Sequence, residues 1–134
     1  MIKHLLTGAL LCSTPLAISA ADNLNVMPWV NGTEWSSTSV EKRSDGTYTI
    51  HVPDNWAGAG IDFAADHPNF NVADYSGVFI DVSADGAGNK MVYVNYSDGS
   101  YLEDGTQPQS GTYMFESGKK VDKIVFKFEN GGTY

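Results

Sequence analysis

Carboxylates and histidines are the side chains of this sequence that could take part in catalysis. Glycoside hydrolysis needs two carboxyl groups about 5 to 10 Å apart across a cleft, and none of the 16 acidic residues is marked out as half of such a pair. The sequence has no Gly-x-Ser-x-Gly elbow of a serine hydrolase. Asp62, Asp66 and His67 could approach a metal ion, but a solvated acidic loop explains their spacing more simply. We therefore expect no enzymatic activity.

Aromatic and polar side chains indicate a different capability, the binding of sugars. Aromatic rings stack on the apolar face of a pyranose, and Asn, Asp and His side chains hydrogen-bond its hydroxyl groups. The chain has three tryptophans and seven tyrosines. The candidate carbohydrate-binding residues are one residue in a turn, Trp56, and four residues on strand faces opposite the aliphatic ones, Tyr93, Asn95, Asp81 and His51.

The alternation of side chains along the strands predicts which candidates share a surface. If the valines and isoleucines face the core, Phe79, Asp81, Tyr93 and Asn95 form one exposed strip. Packing of Phe79 beneath the loop of residues 64–77 is the favoured alternative for that ring. For Tyr93 and Asn95 the exposed and the covered positions stay equally open.

The remaining large aromatic residues receive separate expectations. Trp56 is flanked by small residues in a turn, and we favour a binding platform over a plug on the end of the fold, because loops on rigid scaffolds carry function. Trp29 follows Pro28 on an early strand and is expected in the core. Tyr96 and Tyr101 flank a hairpin whose tip could contact a ligand, but we expect the two rings to pack against each other across the hairpin, the more common use of such a pair.

Strands and turns must position all of these residues. Valine, isoleucine, threonine, tyrosine and phenylalanine dominate after residue 22, and Asp-Gly, a strong turn former, occurs four times. The pattern predicts an all-β fold, a jelly-roll-type antiparallel β-sandwich of about eight strands. The expected strands cover residues 25–29, 33–42, 47–52, 60–63, 78–83, 90–96, 112–116 and 123–129.

Residues 1–21 have the composition of a cleaved secretory signal peptide. Lys3 is followed by an apolar run at 5–12 and a small-residue stretch at 17–21. Lipidation of Cys12 is the alternative, but Leu11 stands where a lipoprotein signal has a small residue. We expect residues 22–134 to form one exported domain, secreted or located in the periplasm or outside the cell.

The charge of the chain restricts its partners. Eight basic and 16 acidic residues give a formal net charge of −8. A chain this acidic is a poor ligand for nucleic acids and anionic membranes. We expect a monomer that binds no nucleic acid and does not insert into a membrane.

Three stretches of the sequence, taken in order, resemble a known family. The first contains TYTIHVP, Trp56 and GAGIDF, the second is DYSGVFIDVS, and the third is KKVDKIVFKFE. Their order is similar to that of the galactose-binding-like β-sandwich carbohydrate-binding modules of secreted bacterial polysaccharide-degrading systems. The resemblance covers roughly residues 24–130. Such modules usually carry a further strand after a segment like residues 130–134, so here either the first strand takes that edge or the edge stays open.

The function expected from residues and resemblance together is non-catalytic binding of a polysaccharide or oligosaccharide. Two alternatives stay open, a secreted adhesive or structural interaction protein and a small glycan-active enzyme or enzyme subunit. The resembling modules often hold a structural calcium ion. The loops at 85–89 and 98–104 are rich in oxygen ligands, so calcium stays open as a cofactor without assigned ligands.

Overall fold

The computed structural model describes residues 4–7, 10–12, 24–29, 38–82, 90–107 and 111–134. Two short helices interrupt the strands, α1 (Phe63–Asp66) and a 3-10 turn (Val72–Asp74). The strands in chain order are β1 (His4–Thr7), β2 (Leu10–Cys12), β3 (Met27–Trp29), β4 (Ser39–Lys42), β5 (Tyr48–Val52), β6 (Gly58–Asp62), β7 (Tyr75–Ile80), β8 (Lys90–Tyr96), β9 (Tyr101–Gln107), β10 (Gly111–Met114), β11 (Val121–Phe128) and β12 (Gly132–Thr133).

The strands follow from an alternation of apolar and polar residues. In β8, Val92, Val94 and Tyr96 are buried, while Tyr93 and Asn95 between them are half-buried on the other side. Successive side chains of a strand point to opposite faces of its sheet. The predicted alternation in β8 is therefore confirmed, and its bounds equal the predicted 90–96.

Three sheets form the two layers of a β-sandwich. One layer is a five-stranded sheet with the order β3-β6-β11-β8-β9. The other contains a four-stranded sheet, β10-β7-β1-β2, and a three-stranded sheet, β12-β5-β4. Within the described residues, every strand pair is antiparallel except β1 beside β7. The predicted all-β, antiparallel sandwich is confirmed.

One hydrophobic core joins the three sheets. It contains Ile61, Val94 and Phe126 of the five-stranded sheet together with Val78 of the four-stranded and Val52 of the three-stranded sheet. Each such side chain contributes about 1.5 to 3 kcal/mol when it is fully removed from water. The face of the five-stranded sheet that carries these side chains is therefore buried, and its other face points away from the core.

Polar and aromatic contacts connect the layers at both ends of the core. The hydroxyl of Tyr96 accepts a hydrogen bond from the backbone N–H of Glu116 at 2.7 Å. At the other end the rings of Phe128 and Tyr134 stack with their centroids 3.9 Å apart. These contacts hold β8 and β11 against segments of the opposite layer.

The loop expected at residues 64–77 contains structure of its own. Asp62 caps α1 by accepting a hydrogen bond from the N–H of Ala65 at 2.9 Å. Phe70 then stacks between Phe63 at 5.4 Å and Tyr75 at 5.6 Å. This ladder of rings packs the segment against the core.

The C-terminal edge differs from both expectations for it. Gly132 and Thr133 form β12, which pairs with β5, and the N–H of Tyr134 donates to the carbonyl of Ile50 at 2.8 Å. The last residues of the sequence therefore supply the strand that was expected to be missing.

Two predictions about aromatic residues need correction. Trp29 is half-buried on the side of β3 away from the core cluster, so its predicted core position is wrong. Tyr96 is buried and Tyr101 is 61% exposed, so the two do not pack across their hairpin as expected. The first error arises because a period of two tells which residues share a face but not which face is buried. The second arises from the register, which pairs Tyr101 with Asn95 and not with Tyr96.

The expected signal peptide covers two described strands. Within it, β1 and β2 form a hairpin, and β1 pairs with β7 from Leu5 opposite Gly77 to Thr7 opposite Phe79. Residues 1–3, 8–9 and 13–23 lie outside the described residues. Export and cleavage stay predictions, and cleavage would remove this hairpin from the edge of β7. In the part of the chain that the structure describes, no helix is both long and apolar enough to span a bilayer.

Candidate functional site

The side of the five-stranded sheet turned away from the core, called the outer face below, carries the richest set of ring and polar side chains. The strand register places its residues in three rows across the sheet. The first row is Trp29, Gly58, Lys127 and Met91. The second is Met27, Gly60, Val125, Tyr93 and Glu103, and the third is Asp62, Lys123, Asn95 and Tyr101.

Two glycines let an indole ring lie low on this face. A Cβ atom on Gly60 would come within 3.2 Å of Cε3 of Trp29, so the ring covers the glycine. A Cβ on Gly58 would overlap the carbonyl oxygen of Phe126 at 1.9 Å. Side chains larger than hydrogen are therefore excluded from β6 at these points, by the backbone of β11 at both glycines and also by the Trp29 ring at Gly60.

Lysine side chains lie against two of the rings. Nζ of Lys123 is 5.5 Å from the ring centroid of Trp29, and Nζ of Lys127 is 5.2 Å from that of Tyr93. Both distances fit a cation–π contact. Val125, which lies between the two lysines on β11, is only 2% exposed although it is on the outer face.

Tyr101 is the most exposed ring of the outer face. Its exposed fraction is 61%, and its centroid lies 6.4 Å from that of Tyr93 at an interplanar angle of 50°. Among the residues that the structure describes, no lysine or arginine covers the Tyr101 ring. One side of this ring is therefore open to solvent.

Carboxylates of the outer face have different environments. Asp62 is engaged twice, by the capping bond to Ala65 and by an ion pair with Lys123 at 3.7 Å. Glu103 is exposed on β9 and stands opposite Tyr93. Burial raises the pKa of Tyr93, and the negative charge of Glu103 adds to that increase. Tyr93 therefore stays a neutral hydrogen-bond donor and acceptor at physiological pH.

The two carboxylates are too far apart to act as a catalytic pair. Asp62 on β6 and Glu103 on β9 are separated by three strand spacings, which is about 14 Å at roughly 4.8 Å per spacing. Retaining and inverting glycosidases need about 5 to 10 Å.

Of the predicted binding residues, the structure brings Tyr93 and Asn95 together on the outer face. Phe79 lies in β7, in the four-stranded sheet of the opposite layer, and Asp81 follows directly after that strand. The expected strip that joins them with Tyr93 and Asn95 is therefore wrong. The favoured alternative for Phe79, a loop covering the ring, has no described contact to support it, and the ring is half-buried.

His51 and Trp56 lie outside the outer face. His51 is exposed on β5, where Nδ1 is 3.1 Å from Oγ1 of Thr133. Trp56 is 38% exposed in the turn between β5 and β6 and donates its backbone N–H to the carbonyl of Phe128 at 2.6 Å. That turn adjoins the end of β11, about 10 Å along the strand from the row of Tyr93 at roughly 3.4 Å per residue.

Sequence reasoning did not place Trp29, Tyr101 and the two lysines on one surface with Tyr93. The pairing of Asn95 with Tyr101 across the β8–β9 hairpin places that tyrosine on the same face as Tyr93. The Asp98-Gly99 dipeptide did not reveal this register, because a two-residue turn there would place Tyr96 opposite Tyr101, whereas in the structure the N–H of Tyr96 donates to the carbonyl of Ser100.

The two loops considered for calcium differ in what the structure describes. Residues 83–89 lie outside the described residues, so the loop at 85–89 stays a prediction. In the other loop, Asp98 already accepts a hydrogen bond from the N–H of Ser100 at 2.8 Å and pairs with Lys119 at 3.7 Å. Elsewhere in the described segments, no three His, Cys, Asp or Glu side chains are grouped so that they could hold a metal ion.

No family model, curated protein or solved structure matches the chain in the comparisons with known proteins.

Proposed function

We propose that the protein binds a polysaccharide or oligosaccharide on the outer face without cleaving it. The observation that carries the proposal is the presence of three partly exposed rings, Trp29, Tyr93 and Tyr101, on one face of one sheet. Asn95, Glu103 and two lysines lie between or beside them. A sugar-binding surface needs aromatic rings that stack on the apolar faces of sugars and polar groups that hydrogen-bond their hydroxyls.

The rigidity of the surface supports the same function. The rings project from hydrogen-bonded strands whose other sides fill the core, so their spacing is set before a ligand arrives. Binding then costs little conformational entropy in the protein. The separation of Asp62 from Glu103 supports binding without hydrolysis.

Tyr101 gives the sharpest test, because it is the most exposed ring and makes few contacts that stabilise the fold. We expect Tyr101→Ala to weaken polysaccharide binding by about 1 to 3 kcal/mol, the usual cost of removing a well-placed ring. Met114→Ala is the matched control, since Met114 is 54% exposed on β10 of the opposite layer. Titration calorimetry against a panel of neutral and acidic polysaccharides measures both variants.

Trp56→Ala in the same panel decides between two locations of the site. Loss of binding with Trp56→Ala and not with Tyr101→Ala would move the site to the turn between β5 and β6. No binding to any polysaccharide by the unaltered protein would contradict the proposal and favour an adhesive or structural interaction protein. Release of reducing sugars would favour an enzyme.

A further inference from the structure

Lys127 is a cation of the outer face that has no carboxylate partner among the described residues. It stands opposite Gly58 on one side and Met91 on the other, and its Nζ lies over the ring of Tyr93 at 5.2 Å. Lys123 differs, because its charge is shared with Asp62 at 3.7 Å. The outer face therefore offers one available positive charge beside an aromatic ring.

We propose that the ligand is an acidic polysaccharide and that Lys127 binds the carboxylate of a uronate residue. This inference rests on the proposed function and names its substrate class. In a uronate the carboxylate is attached directly to the pyranose ring. A protein that stacks on that ring must therefore place its cation next to the stacking side chain rather than far from it.

The register of the sheet provides this spacing. Lys127 lies two residues along β11 from Val125, a separation of about 7 Å at roughly 3.4 Å per residue. Val125 stands opposite Tyr93 on the neighbouring strand. A pyranose ring that contacts Tyr93 can then direct its carboxylate towards Nζ of Lys127.

The net charge of the chain repels an acidic polysaccharide, so the affinity for it must come from the contact between Lys127 and the carboxylate. A net charge of −8 repels a polyanion at long range, but salt reduces the range of that repulsion to about 8 Å at physiological ionic strength. Glu103, which is exposed on β9 opposite Tyr93, is an acidic side chain of the outer face that would repel the same carboxylate. Lys127 and Glu103 should therefore change affinity for an acidic glycan in opposite directions.

The experiment compares polygalacturonate and alginate with their esterified forms, which keep the sugar backbone and lose the carboxylate charge. We expect the unaltered protein to bind at least one of the acidic polymers more tightly than its ester. Lys127→Gln should reduce the affinity for that acidic polymer by about fivefold, the upper end of the range for a partly exposed ion pair. It should reduce the affinity for the ester by a smaller factor, so that the preference for the acid over the ester falls.

Three further variants separate charge from stability. Lys120→Gln removes the same charge from an exposed residue before β11 and should have no effect. Lys127→Arg should keep the preference for the acid over the ester, and Glu103→Gln should increase that preference. Equal affinity for acid and ester, or equal effects of Lys127→Gln and Lys120→Gln, would overturn the uronate inference and leave the proposed function intact. Binding to no polysaccharide at all would overturn both.

Discussion

The backbone conformation of Trp56, in the turn between β5 and β6, predicts which of two variants is more stable, Trp56→Gly or Trp56→Ala. Trp56 has φ of 63°, and it is the non-glycine residue with positive φ among those described. For residues with a Cβ atom this left-handed conformation costs roughly 1 to 2 kcal/mol. Glycine avoids that cost but loses about 0.5 to 1 kcal/mol more entropy on folding than alanine does. We therefore expect Trp56→Gly to be more stable than Trp56→Ala by about 0.5 to 1 kcal/mol.

The comparison of two variants removes the contribution of the indole, because both delete it. Met114 on strand β10 is the matched control, since a strand residue has negative φ and there alanine should be the more stable of the two by about 0.5 to 1 kcal/mol. Urea unfolding followed by circular dichroism measures all four variants with one probe. If Trp56→Ala equals or exceeds Trp56→Gly in stability, the left-handed turn and the reasoning built on it are wrong.

Three further predictions concern the fold around the site. Trp29→Ala should lower the free energy of unfolding by about 2 kcal/mol, less than for a core tryptophan, since a half-buried ring leaves no closed cavity; thermal unfolding measures this. Gly58→Ala should destabilise the fold by about 3 kcal/mol or more, because the added Cβ would overlap a carbonyl oxygen of β11. Gly99→Ala is the control. A Cβ there meets open space, so alanine should cost about 1 kcal/mol through positive φ alone. The hydrogen bonds from Ser100 lower the pKa of Asp98, so this interaction stabilises the fold above the unfolded-state pKa and is lost as pH falls through the lower folded-state value; Ser100→Ala should raise the pKa of Asp98 in an NMR titration.

Alternation along single strands was predictable from the sequence, and long-range pairing was not. The pattern in β8 and the buried face of β5 follow from residue types alone, because a period of two is a local property. Strand β9 was missed, since Asp104-Gly105 indicates a turn although the backbone there continues as a strand. Pairing to β8 overrides that local preference.

The candidate site was only half predictable for the same reason. Tyr93 and Asn95 belong to one strand, so their common face could be predicted. Trp29, Tyr101 and Lys127 come from three other strands and reach the outer face only through the order β3-β6-β11-β8-β9. That order depends on which sheets close the core, a choice that no short stretch of sequence encodes.

The central strand of the sheet explains why the core and the candidate site depend on each other. Along β11, Ile124 and Phe126 enter the core, while Lys123 and Lys127 hold positions over rings on the outer face. A shift of one residue in the pairing of β11 would exchange these two sets and bury both ammonium groups. The large cost of burying unpaired charge therefore fixes the register that the core prefers. The register that closes the core is thus the one that places each lysine beside its ring, and the spacing of the proposed site follows from the stability of the fold.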